Sequence, residues 1–402
     1  MMIPERPSLE RRVLTALEGT ASGVPRIPVI LGGCGTGRTS LLLRVRDLLG
    51  RSACQYIDVE RVATTPERLF QAIRDVSPFA FHTSPVALRA EATARAAFDA
   101  TLVWLGTARA PGDAPATFLL DEFLELRTFE SFPGLRSVLR DLIGALAASG
   151  NRFVLTSRYT ARALRVLRDA PQQFEIIHVA PLIASEIRAT LPASSDGHAA
   201  ATGVSEAEEE RARDELARLV QALSEGRPAY SRMLVDTATE MATRGAADPV
   251  SALAALLAPG GALSNHCRYS YELRLHRARG YGALKAILEV LAEEEPLTLT
   301  EISLRLHRTP GSTKDYLSWL EDVDLILSRQ KRYSFADPMM RLWVRLHCRP
   351  APPSDDDVVR EVHKYVMSRL PGAEPAPAMA LAGGAEPAAV AQDKSWGIIE
   401  ID

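Results

Sequence analysis

The chain has 402 residues, of which 47% are hydrophobic, and its formal net charge is −3. This composition excludes wholesale disorder, and the length accommodates two or three domains. The slightly negative charge excludes a protein that attracts nucleic acid through an overall basic field.

The cysteines and the apolar runs predict a cytoplasmic protein that does not enter a membrane. The four cysteines are far apart and form no C-x-x-C pair, which argues against a zinc site and a disulfide framework. The N-terminal residues are charged and interrupted by prolines, unlike a signal peptide. No apolar run approaches the ~20 residues that span a bilayer.

A glycine-rich stretch directly follows a short apolar run at residues 29–31, which predicts a strand followed by a phosphate-binding loop. The stretch matches the P-loop pattern G-x-x-x-x-G-K-[ST], with arginine in place of lysine. Glycines let backbone N–H groups surround a phosphate, and the start of the next helix adds unpaired donors. The predicted nucleotide-binding residues are Gly32, Gly33, Gly35, Thr36, Gly37, Arg38, Thr39 and Ser40.

Two P-loop side chains have predicted roles in phosphate chemistry. Thr39 would place its hydroxyl on Mg²⁺, and Arg38 would reach the β- and γ-phosphates of ATP. Arginine keeps the charge of lysine but is a planar fork rather than a point charge. Nucleotide binding with slow hydrolysis is therefore expected, and a glycine-rich turn without a ligand is the alternative.

A second phosphate-site signature lies about 80 residues further on. After a predicted strand at 54–59 and helices at 68–75 and 85–108, an apolar strand ends in Asp121 and Glu122. Ligands of α/β sheets bind at the carboxyl ends of strands. Asp121 would hold Mg²⁺ through water, and Glu122 would polarise the attacking water. The alternative is an acidic helix cap after a core strand.

The alternation of strands and helices continues to residue 179. A helix is predicted at 135–149, and strands are predicted at 151–158 and 174–179. This order predicts an α/β fold with a doubly wound parallel sheet. Arg158, at the end of one strand, would neutralise the γ-phosphate.

A helical block follows and predicts a lid beside the nucleotide domain. Helices are expected at 206–223, 230–243 and 250–257, with a break that ends at Pro228.

Residues 281–346 predict a winged helix, with three helices before two short strands at 325–328 and 332–335. Between residues 283 and 349, ten Lys and Arg balance ten Asp and Glu. DNA-binding domains usually show a basic face, so a structural or protein-contact role is as well supported as DNA binding. The best phosphate-contact candidates are the cations of the wing, Arg329, Lys331 and Arg332.

The C-terminal part predicts a helix at 357–370, an Ala- and Pro-rich linker at 371–392, and an apolar tail at 396–402. The tail is either a docking strand for a protein partner or a frayed terminus. The predicted division is a P-loop domain (1–180), a helical lid (181–280), a winged helix (281–349), and a linker with tail (350–402).

These motifs together resemble the archaeal-type P-loop ATPases called signal-transduction ATPases with numerous domains (STAND), which are relatives of the AAA+ proteins. Further matching segments are the Ala180-Pro181-Leu182 turn, Gly226-Arg227-Pro228, and the run from Tyr333 to Pro338 with Leu342-Trp343. The resemblance implies that Pro228 lies near the adenine and that Arg158 contacts the γ-phosphate. Arg38 departs from the family's lysine.

The resemblance also implies a nucleotide-controlled switch that binds ATP or ADP with Mg²⁺. The sequence leaves two other functions open: an ATP-dependent DNA-binding regulator or initiator, and a pseudo-ATPase scaffold with a partner-docking tail. Homo-oligomer formation is also left open.

Overall fold

The computed structural model describes residues 6–19, 25–79, 93–191, 205–243, 248–276 and 280–370. The strands are β1 (Ile27–Leu31), β2 (Cys54–Asp58), β3 (Arg109–Ala110), β4 (Ala114–Pro115), β5 (Thr117–Asp121), β6 (Arg152–Ser157), β7 (Phe174–His178), β8 (Leu297–Thr298), β9 (Ile326–Arg329) and β10 (Arg332–Phe335). The helices up to the end of the α/β part are α1 (Pro7–Glu18), α2 (Arg38–Leu49), α3 (Val59–Val62), α4 (Pro66–Asp75), α5 (Ala94–Thr107), α6 (Val138–Ala148), α7 (Thr160–Val166) and α8 (Ala184–Arg188), with 3-10 turns at Pro111–Asp113 and Phe123–Ser131.

The helices of the C-terminal half are α9 (Glu206–Ser224), α10 (Pro228–Ala242), α11 (Pro249–Leu257), α12 (Ala262–Leu275), α13 (Tyr281–Glu293), α14 (Leu299–Arg305), α15 (Pro310–Asp322), α16 (Pro338–His347) and α17 (Asp355–Met367).

Five parallel strands form the central sheet in the order β2-β5-β6-β1-β7. Every residue of β1 and β5 is buried, as expected for a parallel sheet that is covered on both faces. The strand β6 lies between the P-loop strand and the strand that ends in Asp121. The carboxyl ends of β1, β5 and β6 therefore meet at one edge, where the site is built.

Alternating side chains of β1 point to opposite faces of the sheet and enter two different cores. Ile30 packs with Val13 of α1 and Leu42 of α2. Val29 and Leu31 belong to the larger core on the other face, together with the aromatic residues of β5 and β6. The rings of Phe118 and Phe153 stack there with centroids 5.8 Å apart. The sheet is thus the middle layer of three.

The C-terminal half consists of the predicted helical block and the winged-helix order. Helices α13, α14 and α15 precede the hairpin of β9 and β10. The strand β8, between α13 and α14, completes an antiparallel sheet in the order β8-β10-β9. The last described helix, α17, contacts α11 and α16. The hydroxyl of Tyr365 in α17 donates to the carbonyl of Leu223 in α9, at 2.9 Å. The winged helix and the helical block are therefore packed together.

Within the described ranges, five helices are additional to the predicted ones: α3, α7, α8, α12 and α16. The sequence does not predict α12, because the buried positions of this helix include Ser264, Ser270 and Arg274. Polar residues at buried positions hide the apolar period that predicts a helix.

Several predicted segments cannot be compared with the structure. The start of the helix predicted at 85–108, the linker at 371–392 and the tail at 396–402 lie outside the described residues. Within the described ranges, no helix is long and apolar enough to cross a membrane.

The buried aromatic stack predicts the effect of truncating Phe118. Replacement by alanine removes a fully buried ring between Phe79 and Phe153, and should lower the free energy of unfolding by about 3–5 kcal/mol. Urea denaturation measures this loss. Leu48→Ala is the matched control, because Leu48 is 56% exposed and should change the stability by less than about 0.5 kcal/mol. Equal losses in both variants would contradict the assigned core.

Candidate functional site

The P-loop joins β1 to α2 in a conformation that leaves the start of α2 open. Gly37 has φ +87°, a left-handed conformation that strains any other residue, and it immediately precedes Arg38. No side chain of the described structure caps this end of α2. Its first backbone N–H groups therefore remain directed toward the loop, as a phosphate-binding turn requires.

Thr39 at the start of α2 contacts Asp121 at the end of β5, the two residues for which the sequence predicts Mg²⁺ binding. The Thr39 hydroxyl Oγ1 donates to Oδ2 of Asp121 at 2.8 Å. The Tyr56 hydroxyl donates to the same oxygen at 2.9 Å, and Thr156 donates to Oδ1. Hydroxyl and carboxylate oxygens are the hard donors that Mg²⁺ prefers.

Thr39 and Asp121 alone supply too few oxygen ligands for a Mg²⁺ ion. The described ranges contain no group of three or more His, Cys, Asp or Glu side chains that could hold a metal. A Mg²⁺ ion at Thr39 and Asp121 would therefore complete its coordination with water and phosphate oxygens, as it commonly does in phosphate-binding sites.

Glu122 is held by two arginines. Its Oε1 accepts from Nη2 of Arg38 at 2.6 Å, while its Oε2 accepts from the backbone N–H of Arg158 at 2.9 Å and lies 3.2 Å from Nε of Arg158. Burial raises the pKa of Glu122, but the charges of Arg38 and Arg158 outweigh it, and the pKa lies below its ordinary value. Both carboxylate oxygens are engaged.

The backbone of Glu122 is also unusual, with φ +56°. A left-handed conformation costs a non-glycine residue about 1–3 kcal/mol, and such residues concentrate at functional sites. The N–H of Glu122 donates to Oγ1 of Thr156 at 3.0 Å, which holds the turn in place.

Arg38 and Arg158 make protein contacts where the sequence predicts phosphate contacts. Nη1 of Arg38 donates to the carbonyl of Gly33 at 2.5 Å and to that of Gly32. Arg158 also pairs with Glu60. Arg38 and Arg158, for which the sequence predicts contacts with the phosphates of ATP, therefore hold Glu122, for which the sequence predicts contact with the attacking water.

The start of helix α10 lies directly on the P-loop. The N–H of Ala229 donates to the carbonyl of Gly35 at 3.1 Å. The ring of Pro228 lies next to Gly37, where an added β-carbon would be 3.7 Å from Cγ of Pro228. The chain reaches this position through a tight turn, because a β-carbon on Gly226 would lie only 2.3 Å from the carbonyl oxygen of Leu182.

Arg227 and Tyr230 of this segment connect the P-loop to the winged helix through Asp337. Nη1 of Arg227 lies 3.3 Å from Oδ2 of Asp337, and the Tyr230 hydroxyl donates to the same oxygen at 2.7 Å. Oδ1 of Asp337 accepts from the N–H of Met339 at 3.0 Å and caps α16. The P-loop, the helical block and the winged helix therefore share one polar junction.

Cys34 lies in the P-loop beside α12. Burial raises the pKa of its thiol, but Arg274, Ser270 and Arg158 together outweigh this effect, and the pKa lies below the ordinary value. The sequence around Cys34 gives no sign of these cationic surroundings.

The structure thus places the P-loop, Asp121, Glu122, Arg158 and Pro228 close together at one edge of the sheet, and it adds other residues. Tyr56, Arg227, Arg274 and His266 were not predicted; Nε2 of His266 would lie 3.6 Å from a β-carbon added to Gly35 of the P-loop. Arg227 could have been noticed because it adjoins Pro228, and Tyr56 because it lies near the carboxyl end of β2. His266 and Arg274 carry no such signal.

Comparisons with known proteins agree with the fold. The chain is similar to the Walker-type ATPase of Pyrococcus abyssi, with a TM-score of 0.57 and 15% identity, over 85% of this chain and 96% of that chain. No family model and no curated protein matches the chain. At this identity the likeness concerns the fold.

Two further structures show weaker likeness. The Aeropyrum pernix Orc1 protein in complex with DNA has a TM-score of 0.43 and 16% identity, over 91% of this chain and 93% of that chain. A STAND protein with a tetratricopeptide-repeat sensor from Pyrococcus horikoshii has a TM-score of 0.35 and 14% identity, over 91% and 46%. At these TM-scores neither likeness supports a conclusion about this chain.

The predicted fold class is therefore confirmed. The chain is an α/β P-loop protein with a helical lid and a winged-helix arrangement, and its fold resembles that of the Walker-type ATPase of Pyrococcus abyssi.

The charges around Cys34 predict its reactivity. At pH 7, iodoacetamide should modify Cys34 faster than the other three cysteines, because burial raises the pKa of Cys54 to about 12 and also raises those of Cys267 and Cys348. Peptide mass spectrometry measures the order of modification.

Two variants of α12 test the cause. Arg274→Gln should slow the alkylation of Cys34, whereas Arg268→Gln, which removes an exposed charge from the same helix, should not. Modification of Cys54 or Cys267 before Cys34 in the folded protein would contradict the assignment.

Proposed function

We propose that the chain binds ATP with Mg²⁺ and acts as a nucleotide-controlled molecular switch with slow ATPase activity. The observation that carries the proposal is the 2.8 Å contact between Thr39 and Asp121 at the open end of α2, beside a buried carboxylate held by two arginines. A hydroxyl, a carboxylate and free N–H groups at one sheet edge suit a metal-bound triphosphate.

The phosphates would be recognised by the N–H groups at the start of α2 and by Arg38 and Arg158. Mg²⁺, held by Thr39 and Asp121, would neutralise charge on the phosphate oxygens. A polyphosphate and Glu122 therefore compete for the same two cations. Binding of ATP would draw Arg38 and Arg158 away from Glu122 and free its carboxylate.

Hydrolysis would then use the freed Glu122 to orient a water molecule toward the γ-phosphorus. The water gives a proton to the Glu122 carboxylate while its oxygen forms a new bond to phosphorus, the bond from phosphorus to the β,γ-bridging oxygen breaks, and the products are ADP and inorganic phosphate. Arg158 would stabilise the charge on the transferred group.

Arg38 gives the physical reason for slow turnover. Its planar guanidinium fits a carboxylate better than the ammonium group of lysine does, and its pair with Glu122 is almost fully buried. Separating Arg38 from Glu122 leaves two buried charges without partners, unless a phosphate pairs with Arg38 as the contact with Glu122 breaks. The same contact favours the scaffold alternative, in which nucleotide binds but is not hydrolysed.

The nucleotide state of the P-loop would be transmitted to the winged helix through the contacts of the lid with the P-loop. Ala229 bonds to the loop backbone, and Arg227 joins it to Asp337 of the winged helix. A ligand shifts such an arrangement only if it binds the two states with different affinities. ATP and ADP would differ in the γ-phosphate that competes for Arg158.

DNA binding remains an alternative, but the packing of α15 limits it. Asp322 at the end of α15 pairs with Arg165 of α7, with 3.0 Å between Oδ2 and Nη1. Asp324 accepts from the N–H of Ala161, also in α7, at 3.2 Å. The end of the helix expected to read DNA thus faces the α/β domain. A DNA-reading role would require the winged helix to leave this contact.

Glu122→Gln tests the proposed chemistry. The variant should lower ATP turnover on the order of 10²–10⁴-fold while binding of ATP persists, because the amide keeps the shape but cannot act as a base. Phosphate release and nucleotide titration measure the two quantities. Retained turnover would contradict the role of Glu122, and loss of binding as well would point to a structural role.

Arg38→Lys tests the proposed restraint on turnover. Lysine should raise the turnover number on the order of tenfold, about 1.4 kcal/mol in the barrier, because a point charge releases Glu122 more readily. Arg46→Lys, on the same helix and paired with Asp47, is the control and should leave turnover unchanged. Equal rates for wild type and Arg38→Lys would refute the restraint.

A further inference from the structure

Three hydroxyl groups from three different elements bind the carboxylate of Asp121. Thr39 of α2 and Tyr56 of β2 donate to Oδ2 at 2.8 and 2.9 Å, and Thr156 of β6 donates to Oδ1. Asp121 is only 3% exposed, so these hydroxyls fix the orientation of its carboxylate. Thr39 is assigned to the metal, and Thr156 also accepts from the N–H of Glu122. The phosphate and metal chemistry assigns no role to Tyr56.

Tyr56 reaches the carboxylate from further down the sheet. The parallel register of β2 and β5 pairs Tyr56 with Leu119, two residues before Asp121. Two residues of a parallel strand span about 6.6 Å, so only a long side chain can reach Asp121 from this position. The hydroxyl at the end of the tyrosine ring provides both the length and the donor.

The Tyr56 hydroxyl remains a donor at neutral pH. Burial raises the pKa of Tyr56 far above its ordinary value, and the charge of Asp121 raises it further. The phenol therefore keeps its proton and does not become a phenolate ligand of a cation. Its contact is with the carboxylate that would bind the cation.

The lone pairs of Asp121 show what Tyr56 does when the metal site is used. Each carboxylate oxygen accepts about two hydrogen bonds, and those of Oδ2 come from Thr39 and Tyr56. When the Thr39 hydroxyl binds a cation, it gives up its bond to Oδ2, and one lone pair of Oδ2 becomes free. The bonds from Tyr56 and Thr156 then remain, one on each oxygen, and keep the carboxylate in place.

We propose that Tyr56 is a positioning residue for the divalent cation, because its hydroxyl holds Oδ2 of Asp121 in the orientation that binds the ion together with Thr39. The role assigned to Tyr56 rests on the proposed binding of ATP with Mg²⁺, and it names a residue on which the affinity for the cation depends. Loss of a side chain that orients a metal ligand typically weakens metal binding about 10–100-fold.

Tyr56→Phe tests this role, because phenylalanine keeps the ring and removes only the donor. The dissociation constant of a non-hydrolysable ATP analogue is measured on the full chain in EDTA and in excess Mg²⁺. The ratio of the two constants is the gain in affinity that Mg²⁺ provides. In Tyr56→Phe this gain should fall about tenfold or more, whereas the dissociation constant in EDTA should not change.

Tyr281→Phe is the matched control. The Tyr281 hydroxyl also donates to a carboxylate, that of Glu272 at 2.9 Å, but in an exposed contact between α13 and α12. Its loss should leave both dissociation constants unchanged. In an Asp121→Asn background, Tyr56→Phe should cause no further loss of the gain, because the hydroxyl acts through that carboxylate. Thermal unfolding of each variant confirms that it is folded.

The possible failures can be told apart. If the wild type gains affinity from Mg²⁺ and Tyr56→Phe gains as much, the role of Tyr56 is refuted and the proposed Mg²⁺ binding stands. A larger gain in Tyr56→Phe would show that the hydroxyl competes with the cation for Oδ2. Equal weakening in EDTA and in Mg²⁺ would indicate a purely structural role. A wild type without any gain from Mg²⁺ would overturn the proposed Mg²⁺ binding and the role of Tyr56 together.

Discussion

The ion pairs of Glu122 with Arg38 and Arg158 are the constraint on which the rest of the site depends. A buried carboxylate is stable only with charged partners, and here the partners come from the P-loop and from the end of β6. The pairing joins three neighbouring strand ends at one point. Arg38 and Arg158, for which the sequence predicts phosphate contacts, are therefore occupied by the negatively charged carboxylate of Glu122.

The P-loop and the strands of the central sheet could be predicted because their signals are local, whereas the two-residue strands β3, β4 and β8 were not predicted. Val29 to Leu31 form an apolar run, glycines and Thr39 follow at fixed spacing, and Asp121 ends a second apolar run. The contact between Arg38 and Glu122 could not be predicted, because it joins residues 84 positions apart and depends on the order of strands in the sheet. Spacing in sequence gives the type of residue at a strand end but not the direction of its side chain.

The surroundings of Cys34 show a second limit of sequence reasoning. Arg274 and His266 belong to α12, a helix whose polar residues at buried positions give no apolar period. Their role is apparent only from their contacts with the P-loop, which lies more than 200 positions earlier in the chain. Buried polar residues that weaken a helix pattern can therefore mark a functional contact, since a core helix without a partner for them would favour apolar side chains.

Asp337 has a consequence for how the protein can move. One carboxylate of the winged helix caps α16 through Oδ1 and holds both Arg227 and Tyr230 through Oδ2, while Tyr365 of α17 fixes the end of α9. The helical block and the winged helix cannot separate without parting Asp337 from Arg227 and from the buried Tyr230. In the proposed switch these two parts would rotate together against the α/β domain, and the contacts of Asp322 with Arg165 and of Asp324 with Ala161 would part.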